Sequence, residues 1–174
     1  MIDVRIPYKP NDLAGAYNKV MEESTSKWVL LLDHDVFLAT NKDWYNILLK
    51  AISKLKDPDK VGMITCIRQD TFIDRPQCPD IPMSEATDNI RKHVVHSKNL
   101  YKKYGITLRE VKVRHLGGFF MLVNRDVWKN VKFRNKNKGI YFIDWDFAQR
   151  LLDNNYKIYV LPGLYLYHGK KVKE

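Results

Sequence analysis

The sequence predicts an α/β fold, with a mixed, mostly parallel sheet flanked by helices in a single domain. In the first third of the 174-residue chain, short apolar runs alternate with segments of helical spacing. This alternation is typical of right-handed crossovers between parallel strands. The run Trp28–Leu32 is apolar at every position, as expected of a parallel strand buried on both faces.

The individual elements follow from hydrophobic period and from turn residues. Strands are predicted at 4–6, 28–32, 61–66, 111–113 (an edge strand), 119–123 and 157–160, and the last is extended by 165–168 beyond Pro162-Gly163. Helices are predicted at 13–21, 44–55, 88–104, 126–130 and 144–152, with a loop at 68–88. Asn11 or Asp12 is expected to cap the first helix, and Gly105 to close the third.

Composition limits the function classes without choosing among them. Thirty Lys and Arg against 20 Asp and Glu give a net charge of +10, which suits nucleic acid, an anionic membrane surface or a phosphorylated small molecule. The basic residues are densest at Lys129–Lys138 and in the tail after His168. A solvated face that aids solubility accounts for most of them equally well.

Neither secretion nor a membrane span is indicated by the sequence. No apolar run approaches the ~20 residues of a membrane-spanning helix, and the N-terminus lacks the apolar stretch of a signal peptide. Cys66 and Cys78 form no disulfide framework or metal motif, so we expect free thiols. The expected location is the cytoplasm, with peripheral contact to a membrane surface compatible with the charge.

Asp33 and Asp35 follow the most apolar strand directly. Ligands of open α/β sheets bind beyond the carboxyl ends of strands, and residues two apart on an extended segment project to the same side. Both carboxylates can therefore face one hard cation such as Mg²⁺ or Mn²⁺. The alternative is that an Asp after a strand only stabilises the turn.

Further motifs accompany this D-x-D in a recognisable order. They are Ala14-Gly15-Ala16-Tyr17-Asn18, Asp33-His34-Asp35, Gly117-Gly118, the acidic segment Asp144–Arg150, and His168. In this order, and over nearly the whole chain, the sequence resembles the family 2 glycosyltransferases and their relatives with a GT-A fold. No single motif is specific, but all of them in sequence are hard to reach by chance.

The resemblance implies a metal-dependent transfer from a nucleotide-sugar, most commonly a UDP-sugar, to a carbohydrate or other hydroxyl acceptor, with no nucleic-acid partner. Asp35 would bind Mn²⁺ or Mg²⁺ directly, and Asp33 would reach the ribose or the metal through water. His168 would approach the same metal, and Lys170 or Lys171 the diphosphate.

The catalytic and donor-binding residues are likewise carried over by resemblance. Asp144 would be the general base in a reaction that is expected to invert the anomeric centre, with Asp146 as second choice. A base near the incoming hydroxyl and a neutralised diphosphate are what such a transfer requires. The donor is expected to contact Ile6, Pro7, Tyr8, Asn18, His34, Gly117 and Gly118.

The chain departs from the family's pattern in its first half. Only one short strand and one helix precede the D-x-D strand, so relative to the family's pattern at least one strand–helix unit is expected to be missing. Residues 1–65 are assigned to nucleotide and metal binding, and residues 66–174 to the acceptor and to catalysis. Acceptor choice is expected to depend on 77–99, where His93 and His96 are predicted at the surface.

Each site residue also has a structural interpretation. Asp144 could cap a helix, Asp146 could pair with Arg150 four residues on, and His168 could simply end a strand. Gly117-Gly118 could serve only a tight turn. At the level of function, the alternatives are a degenerate transferase that binds sugar or nucleotide, and a basic module that binds nucleic acid.

Overall fold

The computed structural model describes residues 1–69, 76–79, 88–113, 115–135 and 142–169. Its strands are β1 (Ile2–Arg5), β2 (Trp28–Leu32), β3 (Val36–Phe37), β4 (Val61–Ile67), β5 (Arg109–Val111), β6 (Phe120–Asn124), β7 (Lys157–Tyr165) and β8 (Tyr167–His168). Its α-helices are α1 (Leu13–Glu23), α2 (Trp44–Ser53), α3 (Ile90–Tyr104), α4 (Arg125–Asn130) and α5 (Ile143–Asp153). Short 3₁₀ turns cover Leu38–Thr40 and Pro58–Lys60.

Six strands form one sheet in the order β1-β2-β6-β4-β7-β5. Strands β1, β2, β4 and β7 run in one direction, while β6 and β5 run against their neighbours. Strands β3 and β8 form a separate antiparallel pair. This is the mixed α/β sheet that the sequence predicts, with most strands in one direction.

Two hydrophobic clusters cover the two faces of the sheet. Strand β2 supplies both in alternation, with Val29 and Leu31 in one cluster and Trp28, Leu30 and Leu32 in the other. Helices α1, α4 and α5 pack on the first cluster, and α2 packs on the second. The predicted burial of β2 on both faces is confirmed, because all five of its residues are buried.

Several predicted boundaries are corrected by the structure. Strand β1 begins two residues earlier than expected, and the edge strand β5 lies at Arg109–Val111 and not at 111–113. Strand β7 runs through Pro162-Gly163 without a break, while β8 leaves the main sheet to pair with β3. Helix α3 is capped by the side chain of Asn89 and ends, as predicted, at Gly105 with a φ of 52°.

The surface position predicted for His93 and His96 is wrong. Their exposed fractions are 1% and 7%, because this face of α3 packs against β7. Nδ1 of His93 lies 2.8 Å from the hydroxyl of Tyr165. Polar residues on the inner face of a helix are hard to recognise from hydrophobic period.

Cys66 and Cys78 are both buried and, as expected, neither forms a disulfide bond. Among the helices of the described residues, none has the length and apolar character needed to cross a membrane.

Candidate metal and catalytic site

The site lies at the edge of the sheet where β1, β2 and β4 end and where β6 begins. Leu32 at the end of β2 pairs with Phe120 at the start of β6. Immediately beyond this pair, the backbone N–H of Asp33 donates to the carbonyl of Phe119 at 3.0 Å. The acidic motif is therefore fixed to the last rung of the sheet, next to Gly117-Gly118.

Asp33, Asp35 and His168 form a cluster at this edge. Nε2 of His168 lies 2.9 Å from Oδ1 of Asp35 and 3.4 Å from Oδ2 of Asp33. One potential ligand atom from each of the three residues lies within 4.8 Å of the other two. The three side chains are partly exposed, at 39% for Asp33, 26% for Asp35 and 19% for His168.

The small β3–β8 sheet brings the histidine to the aspartates. Val36, directly after Asp35, pairs with His168, and the N–H of Gly169 donates to the carbonyl of Asp35 at 2.9 Å. Gln69 holds the other side of His168, since its amide oxygen accepts from the His168 N–H at 3.1 Å and its amide nitrogen donates to the His168 carbonyl. Hydrogen bonds thus hold the backbone in place at both Asp35 and His168.

The ring of His168 is also oriented by its neighbours. It stacks on Phe119 with 5.3 Å between ring centroids, and Nη1 of Arg68 lies 3.2 Å from its Nδ1. A guanidinium can only donate, so Nδ1 accepts and the ring proton lies on Nε2, which then donates to Asp35. A cation at Nε2 requires the other tautomer, so Arg68 would have to turn away from Nδ1.

The donor set fits a divalent cation. Two carboxylates suit Mg²⁺ and Mn²⁺, and an imidazole nitrogen favours a transition metal such as Mn²⁺ over Mg²⁺. The partial exposure of all three side chains leaves room for further oxygen ligands. The metal ligands that the sequence predicts therefore lie together, although His168 comes from the opposite end of the chain.

Asp144 lies beside Asp33 in a cavity of about 150 Å³. The cavity is also lined by Leu13 and Tyr17 of α1, by Gly118 and by Ile143. Burial raises the pKa of Tyr17, and the charges of Asp33 and Asp144 raise it further. One small cleft thus connects the acidic motif at the end of β2 with the first turn of α5.

Asp144 occupies the first turn of α5, where its Oδ1 accepts from the N–H of Trp145 at 2.9 Å. Burial raises the pKa of its carboxyl group; hydrogen bonds from the backbone N–H groups of Trp145 and Gly118 oppose this, and the charge of Asp33 adds to it. The N-cap of α5 is Phe142, in the left-handed region at φ 64°. Asp144 is therefore not the N-cap, and its carboxylate faces the cleft.

The two glycines have different surroundings. A Cβ on Gly118 would lie 3.2 Å from Cβ of Asp144, a contact that only a shift of Asp144 would relieve. Gly117 is held by the buried side chain of Gln77, whose Oε1 accepts from the Gly117 N–H at 2.6 Å. Nε2 of Gln77 donates to the Gly117 carbonyl at 3.1 Å and to Oγ1 of Thr65 at 2.7 Å.

Asp146 is engaged in ion pairs. Its carboxylate accepts from Nε of Arg134 at 3.0 Å and from Nε of Arg150 at 2.7 Å, and the side chain is only 6% exposed. Burial alone would raise the pKa of Asp146, but the hydrogen bonds from the two arginines outweigh it and hold the pKa below its usual value. The pairing with Arg150 expected from their spacing is present.

The expected donor contacts are dispersed. Ile6 and Tyr8 follow β1 at the same edge of the sheet and are 60% and 81% exposed, with Pro7 between them, and His34 is exposed between the two aspartates. Asn18 lies away from the cluster: its amide donates to the carbonyl of Phe133 and its oxygen accepts from Trp128. Lys170 and Lys171 lie outside the described residues.

Three residues near the site were not anticipated from the sequence. Arg68 and Gln69 directly follow β4, and their position at the carboxyl end of a strand is the signal that could have identified them. Gln77 lies in a segment without period, and no pattern marks it as the buried partner of Gly117.

Comparison with known proteins places this chain in a family. A comparison with curated proteins gives no match. A family model described as "Glycosyltransferase like family" matches residues 3–168, which include every element of the site described above. Because the match covers nearly the whole chain, this protein belongs to that glycosyltransferase-like family.

Proposed function

We propose that this chain transfers a sugar from a nucleotide-diphosphate sugar, preferentially a UDP-sugar, to a hydroxyl acceptor with inversion at the anomeric carbon. The observation that carries the proposal is that the candidate metal cluster and the cleft with the candidate base lie next to each other at one edge of the sheet. Asp33 belongs both to the three-residue cluster with His168 and to the cleft that holds Asp144. Membership of a glycosyltransferase-like family supports the reaction class.

Asp33, Asp35 and His168 would hold Mn²⁺ or Mg²⁺. When bound, such an ion neutralises the negative charge that develops on the diphosphate leaving group. The chain's own contribution is to fix the ligands. The β3–β8 pairing and the two hydrogen bonds between the backbone of His168 and the side chain of Gln69 position His168 before any ligand arrives, which reduces the ordering cost of binding.

Asp144 would take the proton from the acceptor hydroxyl as the oxygen attacks the anomeric carbon. A general base works best when its pKa is closer to the working pH than that of an ordinary aspartate. Burial and the charge of Asp33 shift the pKa of Asp144 in this direction. Asp146 is unsuited to the role, because both arginine partners stabilise its ionised form.

The nucleotide would lie across the exposed segment after β1. This segment shares the sheet edge with Asp33, since Arg5 pairs with Leu31 in the neighbouring strand. The ring of Tyr8 is 81% exposed and can stack on a uracil face. Gly118 lies directly against Asp144, since an added Cβ would come within 3.2 Å of the Asp144 Cβ, so a glycine here lets the proposed base keep its place. We omit Asn18 from the donor site, because its side chain already bonds Phe133 and Trp128.

The decisive experiment combines binding and transfer. Titration calorimetry with UDP should show binding that requires Mn²⁺ or Mg²⁺ and is lost in Asp35→Ala. A panel of UDP- and GDP-sugars with carbohydrate acceptors should then yield a product, with transfer strongly reduced in Asp144→Asn while UDP binding is kept. Nucleotide binding without hydrolysis or transfer would instead indicate a degenerate transferase. Absence of metal-dependent nucleotide binding would contradict the proposal.

A further inference from the structure

One cavity in the described part of the chain is separate from the candidate active site. It has a volume of about 480 Å³ and lies between the segment 39–43, which precedes α2, and the helix α3. None of Asp33, Asp35, His168 or Asp144 lines it. Its volume is in the range of about 300–1,000 Å³ typical of small-molecule sites. We name it the α3 cleft.

The floor of the α3 cleft is apolar and preformed. Ile47 of α2 is buried, and Val94 and Tyr101 of α3 are half-buried beside it. Asn41 joins the two walls, since its amide nitrogen donates to the hydroxyl of Ser97 at 3.1 Å. Ser97 in turn donates to the carbonyl of Tyr165 in β7 at 3.2 Å, so the cleft is anchored to the main sheet.

The rim of the cleft is basic. Lys42, Lys98 and Lys102 line it with a single carboxylate, Asp43, so the charged groups sum to a positive excess of two. None of the three lysines has an ion pair with a carboxylate among the residues that the structure describes, and each is exposed. Their ammonium groups are therefore available to a ligand entering the cleft.

We propose that the α3 cleft binds a ligand that carries a phosphate monoester on a ring or chain able to cover the apolar floor. A phosphate monoester carries about −1.5 to −2 charge at pH 7, which matches the excess of positive charge at the rim. Lysine binds phosphate as a point charge and needs no fixed planar geometry, which suits three flexible side chains. The inference does not depend on the proposed transferase activity.

Two sources could supply this chemistry, a free sugar phosphate or the head group of a phosphorylated lipid. The exposed face of α3 favours contact with either, since Arg91, Lys92, Lys98, Lys102 and Lys103 lie on it and the helix contains no acidic residue. The test therefore needs one arm for each source. Both arms are run with EDTA, so that phosphate oxygens bound through a metal at Asp35 do not contribute.

In the first arm, glucose 6-phosphate and neutral glucose are titrated into the ¹⁵N-labelled full chain and amide shifts are followed at Asn41 and Ser97. In the second, sedimentation measures binding to phosphatidylcholine vesicles with and without phosphatidic acid. Saturable binding of either phosphate probe, but not of its neutral counterpart, is expected. Binding of the phosphate probe should persist in Asp35→Ala. The result of this test is therefore independent of whether the transferase proposal is right.

Charge-removing variants assign the site. Lys98→Gln and Lys102→Gln should each raise the dissociation constant about tenfold, the value of one charge-assisted hydrogen bond. The matched control is Lys50→Gln, an exposed lysine of α2 outside the cleft, with an expected change below about twofold. All three positions are exposed, so thermal melts should be unchanged.

Three results would overturn the inference. The first is no saturable binding of either phosphate probe. The second is an equal loss of affinity in Lys50→Gln, which would indicate a diffuse basic surface. The third is binding of single-stranded RNA alone, with neither phosphate monoester bound.

Discussion

Nε2 of His168 lies 2.9 Å from Oδ1 of Asp35, although the two residues are 133 positions apart in the chain. The contact forms because β8 leaves the main sheet and pairs with β3, the short strand that directly follows Asp35. The candidate metal site is therefore complete only after the last strand has folded back onto the first half of the chain.

The first prediction concerns metal affinity at this contact. Asp35→Ala and His168→Ala each remove one of three protein ligand atoms. Loss of a residue that only hydrogen-bonds a metal ligand typically lowers metal affinity about 10–100-fold. Loss of a ligand itself should lower the affinity for Mn²⁺ in the presence of UDP by more than that. Electron paramagnetic resonance of free Mn²⁺ measures this directly. Asp59→Ala removes an exposed carboxylate paired with Lys27 and should leave the affinity unchanged. Unaltered Mn²⁺ binding in Asp35→Ala would exclude the assigned ligands.

The second prediction separates the base from the donor site. Asp144→Asn preserves the shape of the side chain and an oxygen for the Trp145 N–H, but it cannot accept a proton from the acceptor. The kcat should fall about 10²–10⁴-fold with little change in the KM for the donor. Because the pKa of Asp144 is raised, the wild-type rate should decline on acidification at a higher pH than an ordinary aspartate allows. Retention of the wild-type kcat in the variant would exclude Asp144 as the base.

The third prediction is that the same substitution stabilises the fold. A carboxyl group whose pKa is raised by folding favours the native state below its unfolded pKa, and this contribution is lost as pH rises through the folded pKa. At neutral pH the ionised Asp144 is therefore a cost, which Asn removes along with repulsion from Asp33. Each 1 kcal/mol by which the substitution increases the free energy of unfolding should raise Tm by about 2–4 °C for a chain of this length. Calorimetry at pH 7 and at pH 4 should show the difference shrinking in acid; a lower Tm at pH 7 would contradict the argument.

The fourth prediction is the opposite response at Asp146. The pKa of this carboxyl is lowered, since the hydrogen bonds from Arg134 and Arg150 outweigh burial. A lowered pKa contributes stability above the unfolded pKa, and this stability is lost as pH falls through the folded pKa. Asp146→Asn should therefore lower Tm at pH 7, by a margin that narrows in acid. Lys132→Gln, which removes an exposed pair with Glu22, is the control and should change Tm little. A Tm unaffected by Asp146→Asn would show that the ion pairs contribute nothing net.

The sequence predicted the part of this protein that depends on local pattern. The apolar run of β2, the helical spacing of α1 and the Gly105 ending of α3 each follow from a short stretch of chain. Asp33 and Asp35 stand out because they directly follow a buried strand, but such a D-x-D can also only stabilise a turn, and the order of the other motifs favours the metal site. Resemblance to a family supplied His168 and Asp144, which no local pattern connects with the aspartates.

What the sequence did not predict depends on contacts between distant segments. Gln69 holds the backbone of His168, 99 positions away, and Gln77 reaches Gly117 across 40 positions. The buried His93 and His96 were misplaced because their burial depends on how α3 packs against β7. Polar residues whose partners come from the tertiary fold have no signature of their own in the sequence.

The last prediction tests one of these distant contacts. Gln77 is 1% exposed, and its side chain bonds the N–H and the carbonyl of Gly117 and the hydroxyl of Thr65. Gln77→Ala leaves the partly buried N–H and carbonyl of Gly117 without these partners. An unsatisfied group costs about 1–3 kcal/mol when fully buried, so the free energy of unfolding should fall by about 2 kcal/mol. Urea denaturation measures the loss. Gln149→Ala, which removes only an exposed bond to Asp153, is the matched control and should change the stability by less than about 0.5 kcal/mol. Gly117-Gly118 lies beside Asp144 in the cleft. The kcat of Gln77→Ala should therefore also be lower than that of the wild type, when both are measured at a temperature at which the variant is still folded. A variant with lowered stability but normal kcat would confine Gln77 to holding the fold.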